Sequence, residues 1–255
     1  MITSLDTPGH ALVTGASSGI GLAVTQRLLE DSGTARVVAV ARSATASPAL
    51  ASLAEAHDAR LLRLDADLTR PADLDALATA VADQTDTLNL VFNAAGVLHA
   101  EGVVPEKALL QLDPEALARV FALNAFAPIL LVRALLPLLR PRLPTVLASV
   151  SARVGSIGDN RLGGWYAYRA SKAAQNQLWR TLSVELRRTH PATVCVLLHP
   201  GTVKTPLSAP FRSRVPAGAL LEPATCAAHL LSIVAGLTPA DSGRFIAWDG
   251  RDVPW

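Results

Sequence analysis

Two tyrosines occur in the chain, Tyr166 and Tyr168, and only the second has a lysine one helical turn away. Lys172 lies four residues after Tyr168 and is one of three lysines, with Lys107 and Lys204. Positions i and i+4 of a helix share a face. Tyr166 has Ala170 at that spacing and lacks such a partner. An unperturbed phenol titrates near 10 and is a poor proton shuttle at neutral pH. A cation within about 4–6 Å favours the phenolate and lowers that value. The Tyr168–Lys172 pair therefore reads as a general acid for a forming alkoxide, and as the base in reverse. Taken alone, it reads rather as a surface tyrosine beside a surface lysine.

The context comes from Thr14-Gly15-Ala16-Ser17-Ser18-Gly19-Ile20-Gly21, which follows an apolar run and leads into a helical pattern. Gly-x3-Gly-x-Gly is a variant of the dinucleotide fingerprint. Its glycines allow a tight turn and close backbone approach, and the helix N-terminus stabilises a pyrophosphate. An acid about 20 residues on would bind a free ribose 2′-hydroxyl. Here the next strand ends Val40-Ala41-Arg42-Ser43, without a carboxylate. A guanidinium matches a phosphate bidentately. Arg42 thus predicts NADP(H) in preference to NAD(H), with NAD(H) still possible. Asp67 either accepts from an adenine amino group or simply ends a strand. Asn93-Ala94-Ala95-Gly96 ends another, and its small residues would let backbone approach a ribose. Asn124 falls inside a long apolar helical stretch. It is either a structural amide bonded to backbone or a helix interruption holding a water that exchanges protons with Lys172.

Seven short apolar runs must position these groups: 11–14, 36–41, 60–65, 88–93, 145–150, 193–199 and 244–248. Most are continuously apolar, as parallel strands covered on both faces are. Helical stretches alternate with them at 20–30, 48–56, 71–81, 114–139, 166–188 and 223–237, and Pro71, Pro114 and Pro223 suit first helical positions. The β-then-α rhythm predicts an α/β fold: one Rossmann-type domain over residues 1–255, with a doubly wound seven-stranded parallel sheet and helices on both faces. The loop 205–221 holds Phe211, Arg212 and Arg214 and reads as a mobile lid. Its arginines either meet an anionic substrate or face water.

Composition narrows the class. Of 255 residues half are hydrophobic and 17% charged, which excludes a disordered chain. Mean hydropathy is +0.32. The run 121–132 is bracketed by Arg119 and Arg133 and reads as too short for a bilayer span, so no membrane partner is expected. Net charge is +2, with no basic patch to suggest nucleic acid. Cys195 and Cys226 are too few for a disulfide framework, and no metal-ligand spacing occurs. The first ten residues show no secretory pattern, and a cytoplasmic setting is expected.

Together, Thr14–Gly21, Asn93–Gly96, Asn124, Tyr168-x-x-x-Lys172 and Pro200-Gly201-Thr202-Val203 stand in the order of the short-chain dehydrogenase/reductase family, which the chain resembles over essentially its whole length. The stretches 155–165 and 248–255 resemble a subgroup with C-signal-like and sniffer-like carbonyl reductases. The resemblance implies hydride transfer between a nicotinamide and a small carbonyl or alcohol. It implies catalytic roles for Asn124, Ser151, Tyr168 and Lys172. Cofactor contacts follow from it at Gly15, Ser17, Ser18, Gly19, Ile20, Gly21, Arg42, Asp67, Leu68, Asn93, Ala94, Ala95, Gly96, Tyr168, Lys172, Pro200, Gly201, Val203 and Thr205.

One position departs. The family places a serine three residues before a glycine; counting back from Gly155 gives Ala152. Ser151 is adjacent and is nominated, although neighbours on a strand point to opposite faces. The family also implies a homodimer or homotetramer through the two long helices, to which Leu130, Leu131, Leu135 and Leu138 belong; ordinary core packing explains these leucines as well. A dinucleotide-binding signalling or regulatory protein with little turnover is the rival reading, favoured by the irregular serine and disfavoured by the intact Tyr168–Lys172 pair.

Overall fold

Seven strands form one sheet in this computed structural model, which describes residues 8–216 and 218–255. They are β1 (Gly9–Thr14), β2 (Thr34–Ala41), β3 (Leu61–Asp65), β4 (Leu90–Asn93), β5 (Thr145–Val150), β6 (Thr193–His199) and β9 (Phe245–Ala247). The order is β3-β2-β1-β4-β5-β6-β9, and every pairing is parallel. A short parallel pair, β7 (Thr202–Val203) with β8 (Leu220–Leu221), lies apart from it. The chain leaves β1 towards β3 and then returns to β4 on the other side of β1. That reversal opens a crevice at the carboxyl ends of β1 and β4, where ligands of such sheets bind. Register matters here. Thr14 stands opposite Asn93, and Asn93 opposite Ser149, so three polar residues form a row at the strand ends.

Successive residues of each strand feed opposite cores. Val13, Ala39, Phe92 and Val196 face α1 (Gly19–Glu30), α2 (Pro48–His57) and α7 (Pro223–Ala235). Leu12, Val38, Val91 and Leu147 face α3 (Pro71–Ala82), α5 (Ala127–Leu135) and α6 (Tyr166–Thr189). This two-sided burial explains why the strands read as continuous apolar runs. Cys195 and Cys226 are free, buried thiols.

The stretch expected as one helix over 114–139 is more complex. α4 (Pro114–Phe121) opens on Asp113, whose side chain accepts from Ala116 N. A π turn over Ala122–Phe126 follows, then α5 and a last 3₁₀ turn to Leu138. Pro114–Leu138 makes 25 helical residues, long and apolar enough to cross a membrane by length and composition alone. This corrects the view of the segment as too short. Leu131, Leu135 and Leu138 bury against the sheet, so the core accounts for their apolarity.

α6 begins in an unusual way. Gly163, Gly164 and Trp165 have φ of 64°, 65° and 52°, and Trp165 is the one non-glycine with positive φ among the described residues. An aromatic side chain in that region is strained. Glu106, only 4% exposed, holds the turn: its carbonyl accepts from Trp165 N and its carboxylate from Ala167 N at 3.3 Å. A carboxylate there satisfies an orphan N–H and complements the helix dipole.

Candidate active site

A cavity of about 990 Å³ runs along the carboxyl ends of the strands. At one end the glycine loop joins β1 to α1. A Cβ on Gly15 would stand 2.9 Å from the Ala94 carbonyl carbon, and one on Gly21 only 2.3 Å from Gly15 O. These close approaches require glycine and leave a backbone cradle at a helix N-terminus, a form suited to a pyrophosphate. Ser17, Ser18, Gly19 and Ile20 line the cavity beside them. Thr205 meets the loop from across the cleft, its Cγ2 2.9 Å from where a Gly19 Cβ would stand.

Arg42, Asp67 and Leu68 line the same cavity, and Arg42 is exposed. The Asp67 carboxylate accepts from Thr69 Oγ1 at 2.7 Å and from Thr69 N at 3.0 Å. Those bonds hold it below the usual carboxylate range, with lesser help from the Arg42 and Arg70 charges. Ala94, Ala95, Gly96, Pro200, Gly201 and Val203 also line the cleft. Asn93 does not. It is 1% exposed, accepts from Thr14 Oγ1 at 2.6 Å and donates to Ser149 Oγ at 2.8 Å. It fixes strand ends rather than facing a ligand.

α6 brings Tyr168 and Lys172 together and turns Tyr166 outward. Tyr168 is 9% exposed, Lys172 3% and Tyr166 41%. Lys172 Nζ sits 5.9 Å from the centre of the Tyr168 ring, and both residues line the cavity. The ammonium donates to Val150 O and to Gln175 Oε1, each at 2.9 Å. Burial, not the pair's mutual charge, governs both groups. It pushes the Tyr168 phenol above its usual value and the Lys172 ammonium down to about 7. The expectation of a phenol lowered by its lysine is thus corrected here: desolvation disfavours the charged form of each.

Asn124 lies in the π turn and is fully buried. Its Oδ1 accepts from Val97 N and its Nδ2 donates to Val97 O, both at 2.8 Å. Both features of the sequence alternatives coexist, a helix interruption and an amide bonded to backbone. A Cβ on Gly96 would stand 3.3 Å from Asn124 Oδ1 and 3.7 Å from Lys172 Nζ, so the amide and the ammonium flank one glycine. Ser151 lines the cleft, but its hydroxyl donates to Asn176 Oδ1 at 2.6 Å. The nominated Ser151 thus stands at the cleft with its hydroxyl turned towards α6.

Beyond Tyr168 the wall is aromatic. Trp165 packs edge-on to Tyr168 at 6.2 Å and against Phe211 at 4.8 Å, and His99 meets Phe211 at 6.1 Å. Phe211 comes from a 3₁₀ segment, Pro206–Arg214, held between β7 and β8. His99 Nε2 lies 3.2 Å from Pro206 O and 3.1 Å from Leu207 O, which ties the segment down. Arg212 is half-buried and turns onto the segment itself, donating to Thr205 O and Ser208 Oγ. The Arg214 side chain lies outside the described residues. His199 also lines the cleft; burial first, then the Arg153 charge, push its imidazole down to about 4 against the pull of Asp249. The sequence reading missed Trp165, His99, Glu106, Ser149 and Gln175. Gln175 carried a signal, since it follows Lys172 by three residues on the same helical face.

Comparison with known proteins agrees with this geometry. Residues 9–216 match the family model for short chain dehydrogenases. The chain is 40% identical over 148 residues to the C-signal of Myxococcus xanthus, covering 58% of this chain and 84% of that protein. The carbonyl reductase Sniffer of D. melanogaster superposes with a TM-score of 0.84 at 28% identity, over 98% of this chain and all of the other. An NADPH-bound carbonyl reductase from chicken fatty liver superposes with a TM-score of 0.86 at 30% identity and the same coverage. The chain belongs to the short-chain dehydrogenase/reductase family, whose members are oxidoreductases.

Proposed function

We propose that this chain is an NADP(H)-dependent carbonyl reductase acting on a small carbonyl or alcohol, with Tyr168 exchanging the substrate proton. One observation carries the reading: a buried Tyr168–Lys172 pair opens into the same cleft that ends in the glycine cradle. The nicotinamide, when bound, supplies the hydride. The protein supplies position and electrostatics. Backbone N–H groups from Gly15 to Ile20 would hold the pyrophosphate. Arg42 would meet the 2′-phosphate, and Asp67 and Leu68 the adenine side. Ala94–Gly96 and Lys172 would hold the nicotinamide ribose, and Pro200, Gly201, Val203 and Thr205 the carboxamide side. The relative solved with NADPH supports the cofactor choice.

Tyr168 gives its proton to the carbonyl oxygen in reduction and takes one from the alcohol in reverse. A charged Lys172 beside the ring favours the phenolate left behind. Asn124 holds the π turn that flanks Gly96. Tyr168 acts without help from the Ser151 hydroxyl, and Trp165, Phe211 and His99 form an aromatic wall for the organic part of the substrate. The copies pair as a homodimer or homotetramer; a single-chain mass by light scattering would remove that assignment.

The decisive experiment is a carbonyl panel with NADPH, comparing the parent chain with Tyr168→Phe. Turnover in the parent and its loss in the variant support the reading; equal rates in both overturn it. The turned-away Ser151 hydroxyl favours a second reading, a dinucleotide-binding regulatory protein. Tight NADP(H) binding by the parent with no turnover across the panel would select it.

A further inference from the structure

Gln175 is a glutamine with no exposed surface, placed where an apolar side chain would pack at lower cost. Its neighbours show its use. An ammonium can only donate, so the bond from Lys172 Nζ fixes which end of the carboxamide is oxygen. The other end, Nε2, donates to Ser149 Oγ at 2.7 Å and lies 3.4 Å from Val150 O. Ser149 Oγ also accepts from Asn93 Nδ2, and Asn93 Oδ1 accepts from Thr14 Oγ1 at the head of the glycine loop. The parallel register that lines up Thr14, Asn93 and Ser149 therefore builds one buried chain, running from the pyrophosphate end of the cleft to Lys172.

The ammonium has three N–H groups. Val150 O takes one and Gln175 Oε1 another. Gly155 packs so close behind that a Cβ there would stand 2.8 Å from Lys172 Cβ, which restrains the lysine stem. We propose that Gln175 is a positioning residue for Lys172: anchored on Ser149, it holds one ammonium N–H so that the third points into the cofactor cleft. This rests on the proposed reductase reading only for its effect on rate.

Among the described residues, the groups facing Lys172 carry no net charge that could do this work instead. From β5 comes the Val150 carbonyl; across Gly96 lies the Asn124 carboxamide; on α6 itself stands the neutral Tyr168 phenol. Arg153, on the 3₁₀ turn packed against α6, pairs with Asp159 at 3.5 Å, and burial keeps His199 on β6 neutral.

With three lysines in the chain, Lys172 can be watched directly. Biosynthetic labelling of lysine Cε with carbon-13 yields three signals, and Lys172→Arg assigns one. We expect Gln175→Leu to move the Lys172 titration midpoint down by about one pH unit and Gln175→Glu to move it up by a similar amount, with Lys107 and Lys204 unmoved. NADPH turnover should fall about tenfold in Gln175→Leu, and recover at least partly in Gln175→Glu with its pH–rate break displaced upward. Midpoints unchanged in both variants would overturn the proposal. The titration needs no turnover, so its outcome stays separate from failure of the reductase reading. Should Gln175→Leu not fold, Gln175→Glu alone still decides by its upward shift.

Discussion

At the residue scale, the chemistry depends on two groups that burial pushes in opposite directions. Removing the phenolic oxygen with Tyr168→Phe should lower carbonyl reduction by about 100-fold or more, while NADPH still binds, as a fluorescence titration would show. Lys172 titrates near 7 in the fold against 10.5 ordinarily. Between those values the unfolded chain holds a proton that the folded chain has released. Stability to urea should therefore rise with pH across that window, and Lys172→Met should flatten the slope. The charged lysine supports the phenolate formed in reduction, so kcat/KM for the ketone should fall as pH rises through about 7. At the far end of the cleft, Arg42→Ala should weaken NADP⁺ about tenfold, the worth of one charge-assisted contact, and leave NAD⁺ unchanged. Equal loss for both nucleotides would mean that Arg42 does not read the 2′-phosphate.

Elements hold these groups within reach of one another. α6 presents Tyr168 and Lys172 on its inner face because residues four apart share that face, and its first turn is fixed from outside by Glu106. Glu106→Ala removes that carboxylate cap and should lower the melting temperature by about 2–4 °C. It should leave the Trp165 turn in place, because the Glu106 backbone carbonyl still accepts from Trp165 N, so the indole fluorescence should not change. The π turn around Asn124 is the other local device. It breaks the regular helical bonding at the point where an amide must reach back to Val97.

For the whole molecule, the parallel sheet determines where everything meets. Its reversal beside β1 opens the crevice, and its register aligns the buried polar row beneath it. A dinucleotide spanning that crevice touches several elements at once. NADPH at about a hundred times its Kd should then raise the melting temperature by roughly 5–10 °C. NADH at the same concentration should raise it less.

Much of this was legible in the residues themselves. Alternation of apolar runs with helical stretches revealed the sheet because strands buried on both faces must be apolar throughout, and β5 and β6 begin and end where that pattern does. The glycine loop was visible because tight backbone approach tolerates no other residue. The i, i+4 spacing singled out Tyr168 over Tyr166 for the same local reason. Whatever depended on non-local contact was hidden. Ser151 and Ala152 look interchangeable in sequence, yet Asn176, 25 residues later, turns the Ser151 hydroxyl away. Glu106 reaches a helix that starts 60 residues on. The direction of the Tyr168 and Lys172 shifts also belonged to the folded molecule, because desolvation is a property of what surrounds a group and not of its spacing from one neighbour. Local geometry follows from chain periodicity; hydrogen-bond partners and dielectric surroundings exist only once distant segments have packed.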